Sequence, residues 1–261
     1  MFGLRIRIRP TAPLTFRRVP FSTVEMLTYP FVPPTTMSGY LDRLIRLSHG
    51  EDLPETSSTD LNFYVLPRTY HVLGALAAPD PVYSQRVLTT IRQGIRLFNH
   101  VAASQLKRDK RSQSERSKES YQLYRWEYLF AEALVGYVLH EDEDALALLT
   151  ETQNYGYKLG KEGWAYVEEI EGPFLLEQQR LRAKPSCLVP ATEAFGSSTR
   201  MYPLYRYAWH EETNQEHEPG REPAPIQGFV PFLAAILNDR VEMDYYAGNG
   251  AYIPVSLLEY F

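Results

Sequence analysis

Residues Phe2 to Arg9 alternate without a break: Phe2, Leu4, Ile6 and Ile8 fall on one side, and Gly3, Arg5, Arg7 and Arg9 on the other. A period of two marks a strand with one buried and one solvated face. Such a strand needs neighbours for its edges and an apolar layer for its buried face, so an all-helical chain is excluded from the outset. The period then changes. In TTMSGYLDRLIRLSHG, the residues Met37, Tyr40, Leu41, Leu44 and Ile45 recur at helical spacing. Thr35 or Thr36 is expected to cap this helix, Pro33 and Pro34 hold its entry extended, and Gly50 ends it.

The rest of the first half continues the alternation of strand and helix. Leu61 to Gly74 is expected to be a second strand, with Pro67 placing it at an edge or a bulge. Ser84 to Ala102 carries Val87, Leu88, Ile91, Ile95, Phe98 and Ala102 on one stripe, which predicts a helix. Ser104 to Ser120 is polar with no apolar anchor, which predicts a mobile finger tip. Tyr121 to Leu139 is expected to form one long strand. EDEDALALLTETQN follows as a helix with acids in its first turn, closed by Gly156. Tyr157 to Ile170 is a further strand, broken by a turn at Gly160 to Gly163.

Strand, helix, strand, long insertion, strand, helix, strand is the split βαβ order. The expected fold class is therefore α+β: a ferredoxin-like domain of the kind also used by RNA-recognition motifs, over residues 1–170. A basic thumb is expected between its second and third strands, at about residues 75–120. Residues 171–261 form a β-rich C-terminal extension, with an apolar run at Phe229 to Leu237 and a final strand at Tyr252 to Leu258.

The net charge is −5, yet the charges are segregated along the chain. Arg5, Arg7, Arg9, Arg17 and Arg18 precede the first acid, Glu25. A second basic block runs from Arg86 through Lys107, Arg108, Lys110, Arg111, Arg116 and Lys118 to Arg125, whereas the stretch after Trp209 is acidic. Where charge sits decides polyanion binding, so one basic face on an acidic chain suits nucleic acid. Solvated surface is the plain alternative for any single run. The lone Cys187 allows no internal disulfide, and a cytoplasmic setting is expected. No stretch has the length of an apolar membrane span.

The turn Pro34 to Gly39 offers amides at a helix start and the hydroxyls of Thr35, Thr36 and Ser38, a place for a phosphate or base edge as well as an ordinary cap. Small residues at Ser38 and Gly39 would keep that approach open. Arg17 and Arg18 sit in a loop and can clamp phosphate. Lys158 and Lys161 stand in a small basic turn between glycines. Tyr124, Trp126 and Tyr128 alternate on one face, and Trp164 and Tyr166 do likewise; all can stack bases or pack in a core. Catalytic signatures are sparse. The chain has no phosphate-loop, dinucleotide or nucleophile-elbow motif. His140 to Asp144 is explained by an acidic first helical turn, His210 and His217 lack a metal-ligand spacing, and Cys187 has no second cysteine. No metal, cofactor or catalytic residue is expected.

Three segments together resemble the Cas-five family, which caps the 5′ end of the guide RNA in type I CRISPR surveillance complexes (Cascade). They are Phe16-Arg17-Arg18 after the opening strand, PFVPPTTMSGYLDRLIRL, and YKLGKEGWAYVEEI. The resemblance covers roughly the first 170 residues. It implies a ferredoxin-like domain with a thumb between the second and third strands, and a non-catalytic grip on the 5′ handle of CRISPR RNA. It also implies contact with the backbone and large subunits of Cascade, and with target DNA only through the complex. The RNA-binding residues expected are Arg17, Arg18, Thr35, Thr36, Ser38, Gly39, Arg43, Lys107, Arg108, Lys110, Arg111, Arg125, Trp126, Lys158 and Lys161. The alternative is a metal-independent endoribonuclease that matures the same RNA. Relatives of that kind use a tyrosine with an adjacent lysine-histidine pair, and this chain has no Lys-His dipeptide.

Overall fold

The computed structural model of the chain describes residues 1–18, 25–53, 64–78, 86–95, 121–194, 200–209, 219–220 and 226–261. In chain order, its first half contains β1 (Phe2–Pro10), β2 (Glu25–Met26), α1 (Pro34–Ser48), β3 (His71–Ala77), β4 (Arg86–Ile95), β5 (Tyr121–Phe130) and β6 (Leu134–His140). Then come α2 (Glu143–Thr150), β7 (Gly156–Lys158) and β8 (Trp164–Leu175). The extension adds β9 (Glu177–Ala183), β10 (Val189–Pro190), β11 (Met201–Trp209), β12 (Ile226–Ala235), β13 (Val241–Gly248), β14 (Ala251–Pro254) and a closing 3-10 helix (Val255–Tyr260).

The main sheet is antiparallel, in the order β3-β6-β1-β8-β7. With α1 between β1 and β3, and α2 between β6 and β8, the two βαβ halves interleave as in a ferredoxin-like fold. Leu4, Ile6 and Ile8 of β1 are fully buried, and so are Met37, Leu41, Leu44 and Ile45 of α1. Each such side chain contributes about 1.5–3 kcal/mol of burial. The start of α1 lies close against the sheet. Gly74 has φ +77°, and a Cβ there would stand 2.5 Å from the Val32 carbonyl and 3.2 Å from Pro34. Only glycine allows that approach, and it fixes where the first turn of α1 points.

The insertion between β3 and β6 is a β-hairpin. β4 and β5 pair antiparallel from Arg86↔Phe130 to Ile95↔Tyr121, and β2 adds in parallel to β5. Its strands meet the main body where Leu14 bridges Leu129. Beyond β8, the sheets β14-β13-β9 and β10-β12-β11 form the extension, with a second core around Val189, Ala235, Met243 and Tyr245.

Several local expectations change. Arg86 to Ile95 is a strand, not a helix: Val87 and Leu88, two members of the expected stripe, are exposed, and a ten-residue ladder with β5 decides the conformation. Tyr121 to Leu139 is two strands, β5 in the thumb and β6 in the main sheet, parted at 131–133. In the stretch from Leu61, the described residues form strand only from His71 onward, after a turn at Pro67 to Tyr70. The N-cap of α1 is Pro33, with no side-chain cap from Thr35 or Thr36. The last strand ends at Pro254, and Val255 to Tyr260 is helical. The finger-tip stretch 104–120 lies outside the described residues.

Candidate nucleic-acid interface

A cleft of about 400 Å³ opens where three separate pieces of chain meet. The first turns of α1 supply Thr35, Thr36, Gly39, Tyr40 and Arg43; the loop after β1 supplies Phe16 and Arg17; the β7–β8 turn supplies Lys158, Leu159, Gly160 and Lys161. Tyr64, Val65 and Tyr207 complete the lining. Four cations, Arg17, Arg43, Lys158 and Lys161, stand around it, with no carboxylate among the lining residues. Arg17, Lys158 and Lys161 are solvent-exposed and Arg43 partly so.

The backbone builds this arrangement. Lys161 N donates to Thr15 O at 2.8 Å, and Thr15 N to Glu162 O at 3.0 Å, so the arginine loop is laced onto the lysine turn. Gly160 sits at φ +80°, and a Cβ there would lie 2.6 Å from Thr15 O and 2.9 Å from the Phe16 ring. On the other side, Phe16 N donates to Thr28 Oγ1 at 2.8 Å, and the Phe16 ring is buried. Arg17 is thus presented outward from a rigid hinge. The helix contributes its own field. α1 has no acid in its first turn and no side-chain cap. The Thr35 and Thr36 amides have no intrahelical acceptor, and the N-terminal end carries a partial positive charge. Tyr207 donates to Thr35 O at 2.8 Å and Tyr40 to Ala165 O at 2.8 Å. Burial raises both phenol pKa values above their ordinary value. These hydroxyls remain protonated and occupied as donors. Cations, free amides and threonine hydroxyls at one concave place suit phosphate and sugar oxygens.

The opposite face of the sheet is different. Arg5 pairs with Glu171 at 2.5 Å, Arg7 with Glu168 at 2.7 Å, and Arg9 with Glu168 at 3.1 Å and Glu132 at 3.5 Å. The basic run at the start of the sequence is therefore largely neutralised by acids far away in the chain, and only its Arg17 reaches the cleft.

No family model matches the chain, and neither does any curated protein. Among solved structures it is similar to a CRISPR protein from Archaeoglobus fulgidus, at 13% identity over 97% of this chain and 98% of that one, with a TM-score of 0.41. It is also similar to a chain of the Type III-B Cmr-beta complex bound to cognate target RNA, at 14% identity over 91% and 86%, with a TM-score of 0.42. A further structure of that complex, with target RNA and AMPPnP, gives 14% identity, 91% and 85%, and a TM-score of 0.40. Likenesses this distant carry no functional weight; strand order defines the fold, and the cleft defines the site.

Of the residues expected from sequence, Arg17, Thr35, Thr36, Gly39, Arg43, Lys158 and Lys161 come together in the cleft. Ser38 does not line it. It is buried, and its Oγ accepts from Leu66 N at 3.0 Å, holding the strand entry against α1. Arg18 turns away between the rings of Tyr29 and Tyr202, 5.9 and 5.7 Å from their centroids. Arg125 and Trp126 lie on the thumb strand β5; Arg125 approaches Glu127 at 3.8 Å, and Trp126 stacks on Tyr128. Lys107, Arg108, Lys110 and Arg111 fall outside the described residues. Sequence reasoning missed Tyr64 and Tyr207. Tyr207 lies 172 residues from its partner Thr35, and no local pattern announces such a contact.

Among the described residues, no helix is long and apolar enough to cross a membrane.

Proposed function

We propose that the chain is a non-catalytic RNA-binding subunit of a CRISPR ribonucleoprotein, and that its cleft grips the sugar-phosphate backbone of the CRISPR RNA 5′ handle, as in a type I Cascade. One observation carries this reading. The three sequence segments that resemble the Cas-five family, each unremarkable alone, supply most of the walls of a single cationic cleft. Contacts to the backbone and large subunits of such a complex belong to the same proposal, with the thumb hairpin and the β-rich extension as the surfaces available for them.

The non-catalytic role is supported by the chemistry of the lining. Metal-free RNA cleavage needs a base poised at the 2′-hydroxyl. The cleft's Tyr40 and Tyr207 both donate to backbone carbonyls, and His71 lies elsewhere, its Nδ1 3.1 Å from Phe261 O. Incubating the purified chain with end-labelled CRISPR repeat RNA in EDTA separates the alternatives. Retention of intact RNA is expected. Discrete cleavage would establish the endoribonuclease instead, and no retention at low salt would remove RNA binding altogether.

A further inference from the structure

The hairpin that supplies Lys158 and Lys161 to the cleft also holds out a tryptophan. Trp164 opens β8 opposite Lys158 and is 53% exposed. Its backbone is fixed on both sides: the ladder to β7 on one, and on the other its carbonyl, which accepts from Thr11 N at 2.8 Å and Thr11 Oγ1 at 3.2 Å. The ring of Tyr157 meets the indole edge-on at 5.5 Å between centroids. Tyr157 in turn carries the guanidinium of Arg43, 5.7 Å from its centroid, and Arg43 lines the cleft. A continuous path of cation and aromatic rings therefore leads from the cleft, over Arg43 and Tyr157, to an open indole.

We propose that Trp164 is a stacking platform for one unpaired base of the strand whose phosphates occupy the cleft; this rests on the RNA-binding reading above. An indole on a fixed backbone, with its ring against Tyr157 and half open to water, offers a π-face that every base can use. The neighbours decide for nucleic acid over an apolar protein patch. Lys158 lies across the strand pair and Arg43 one ring away, so phosphates on either side of the stacked base meet positive charge. The acid on this turn, Glu162, accepts from the Tyr128 hydroxyl at 2.9 Å, toward the thumb. The site takes single-stranded RNA, because a duplex keeps its base faces covered.

The test uses the full chain, with Trp164→Leu, Trp164→Phe and the comparator Lys158→Gln/Lys161→Gln. Ligands are single-stranded RNA of about 12 nucleotides, the same backbone with abasic residues throughout, and a blunt RNA duplex. Trp164→Leu should lower affinity for the single strand roughly 5- to 100-fold, while Trp164→Phe stays near wild type and abasic RNA binds both proteins alike. The salt slope should be unchanged by Trp164→Leu and lowered by the lysine pair. Equal binding of wild type and Trp164→Leu, with the lysine pair weakened, overturns the platform and leaves the cleft standing. Loss of a protein partner from Trp164→Leu with RNA affinity intact overturns it as well. Failure of the wild type to hold any RNA removes the cleft reading and the platform together. A thermal melt of Trp164→Leu matching wild type shows that the fold is untouched.

Discussion

Helix α1 presents Arg43 to the cleft, and next to it Asp42 is fully buried on another side. Asp42 Oδ2 meets Arg46 Nε at 3.3 Å, and Oδ1 accepts from Gly220 N at 2.8 Å, so one carboxylate ties the helix to the extension. Asp42→Asn keeps the shape and removes the charge, leaving the Arg46 guanidinium, 5% exposed, without its nearest counter-ion. Breaking a buried pair on one side costs about 3–5 kcal/mol. Two contacts soften the loss: Glu51 lies 3.6 Å from Arg46 Nη1, and the Tyr64 ring lies 4.5 Å from its guanidinium carbon. A cost of about 2–4 kcal/mol follows, and for a chain of this size that lowers the melting temperature by about 4–16 °C. The double variant Asp42→Asn/Arg46→Met should be more stable than Asp42→Asn alone, because the stranded charge is gone. RNA affinity measured well below the melting temperature should hold, since Asp42 does not line the cleft. A melting temperature for Asp42→Asn within 1 °C of wild type (about 0.3–0.5 kcal/mol) would refute the latch.

Other expectations follow from the same geometry. Gly160→Ala forces a side chain into a positive-φ turn against Thr15 O; it should cost about 1–2 kcal/mol from backbone strain alone and weaken RNA binding by displacing Arg17 from the lysine turn, read by melt and by filter binding. Burial holds the His71 imidazole below its ordinary pKa of 6.5. The unfolded chain therefore takes up a proton first as pH falls below 6.5, so stability is level above that value and declines beneath it. His71→Gln should flatten that decline in melts taken from pH 7 to pH 5, and an equally steep decline in the variant would clear His71 of the effect. Arg5→Gln/Arg7→Gln removes charges already paired on the far face of the sheet, so RNA affinity and its salt slope should stay at wild-type values in the same titration.

The legible parts of the chain were those where local period and burial agree. β1 alternates because it has one buried and one paired-charge face; α1 shows a helical stripe because that stripe lies on the sheet; the β7–β8 turn is marked by its glycines, of which Gly160 and Gly163 are required by their conformation. From α1 and the β7–β8 turn, six of the expected cleft residues can be placed, and Arg17 adds a seventh from the loop after β1. β4 is illegible because Val87 and Leu88, spaced as on a helical stripe, face solvent on a thumb that is held by its ladder to β5. Charge was misleading for a related reason. Arg5, Arg7 and Arg9 look free in the sequence but meet Glu171, Glu168 and Glu132 across strands that only the fold brings together. Ser38 follows the same logic: a hydroxyl at a helix start can face a ligand or a neighbouring segment of chain, and here its Oγ accepts from Leu66 N. The Asp42–Gly220 tie, 178 residues long, has no local signal of any kind.

The cleft at the start of α1 is proposed to hold an RNA backbone. Its most direct test is the salt dependence of affinity for single-stranded CRISPR repeat RNA. Wild type is compared with a variant that turns Arg17, Arg43, Lys158 and Lys161 to glutamine. Each single-strand phosphate contact contributes about 0.7 to the slope of log affinity against log salt, so losing four should flatten it by about 2.8. That flattening is expected together with weaker binding at low salt and an unchanged melting temperature. An unchanged slope and affinity in a folded variant would contradict it and move the RNA, if it binds at all, to another surface.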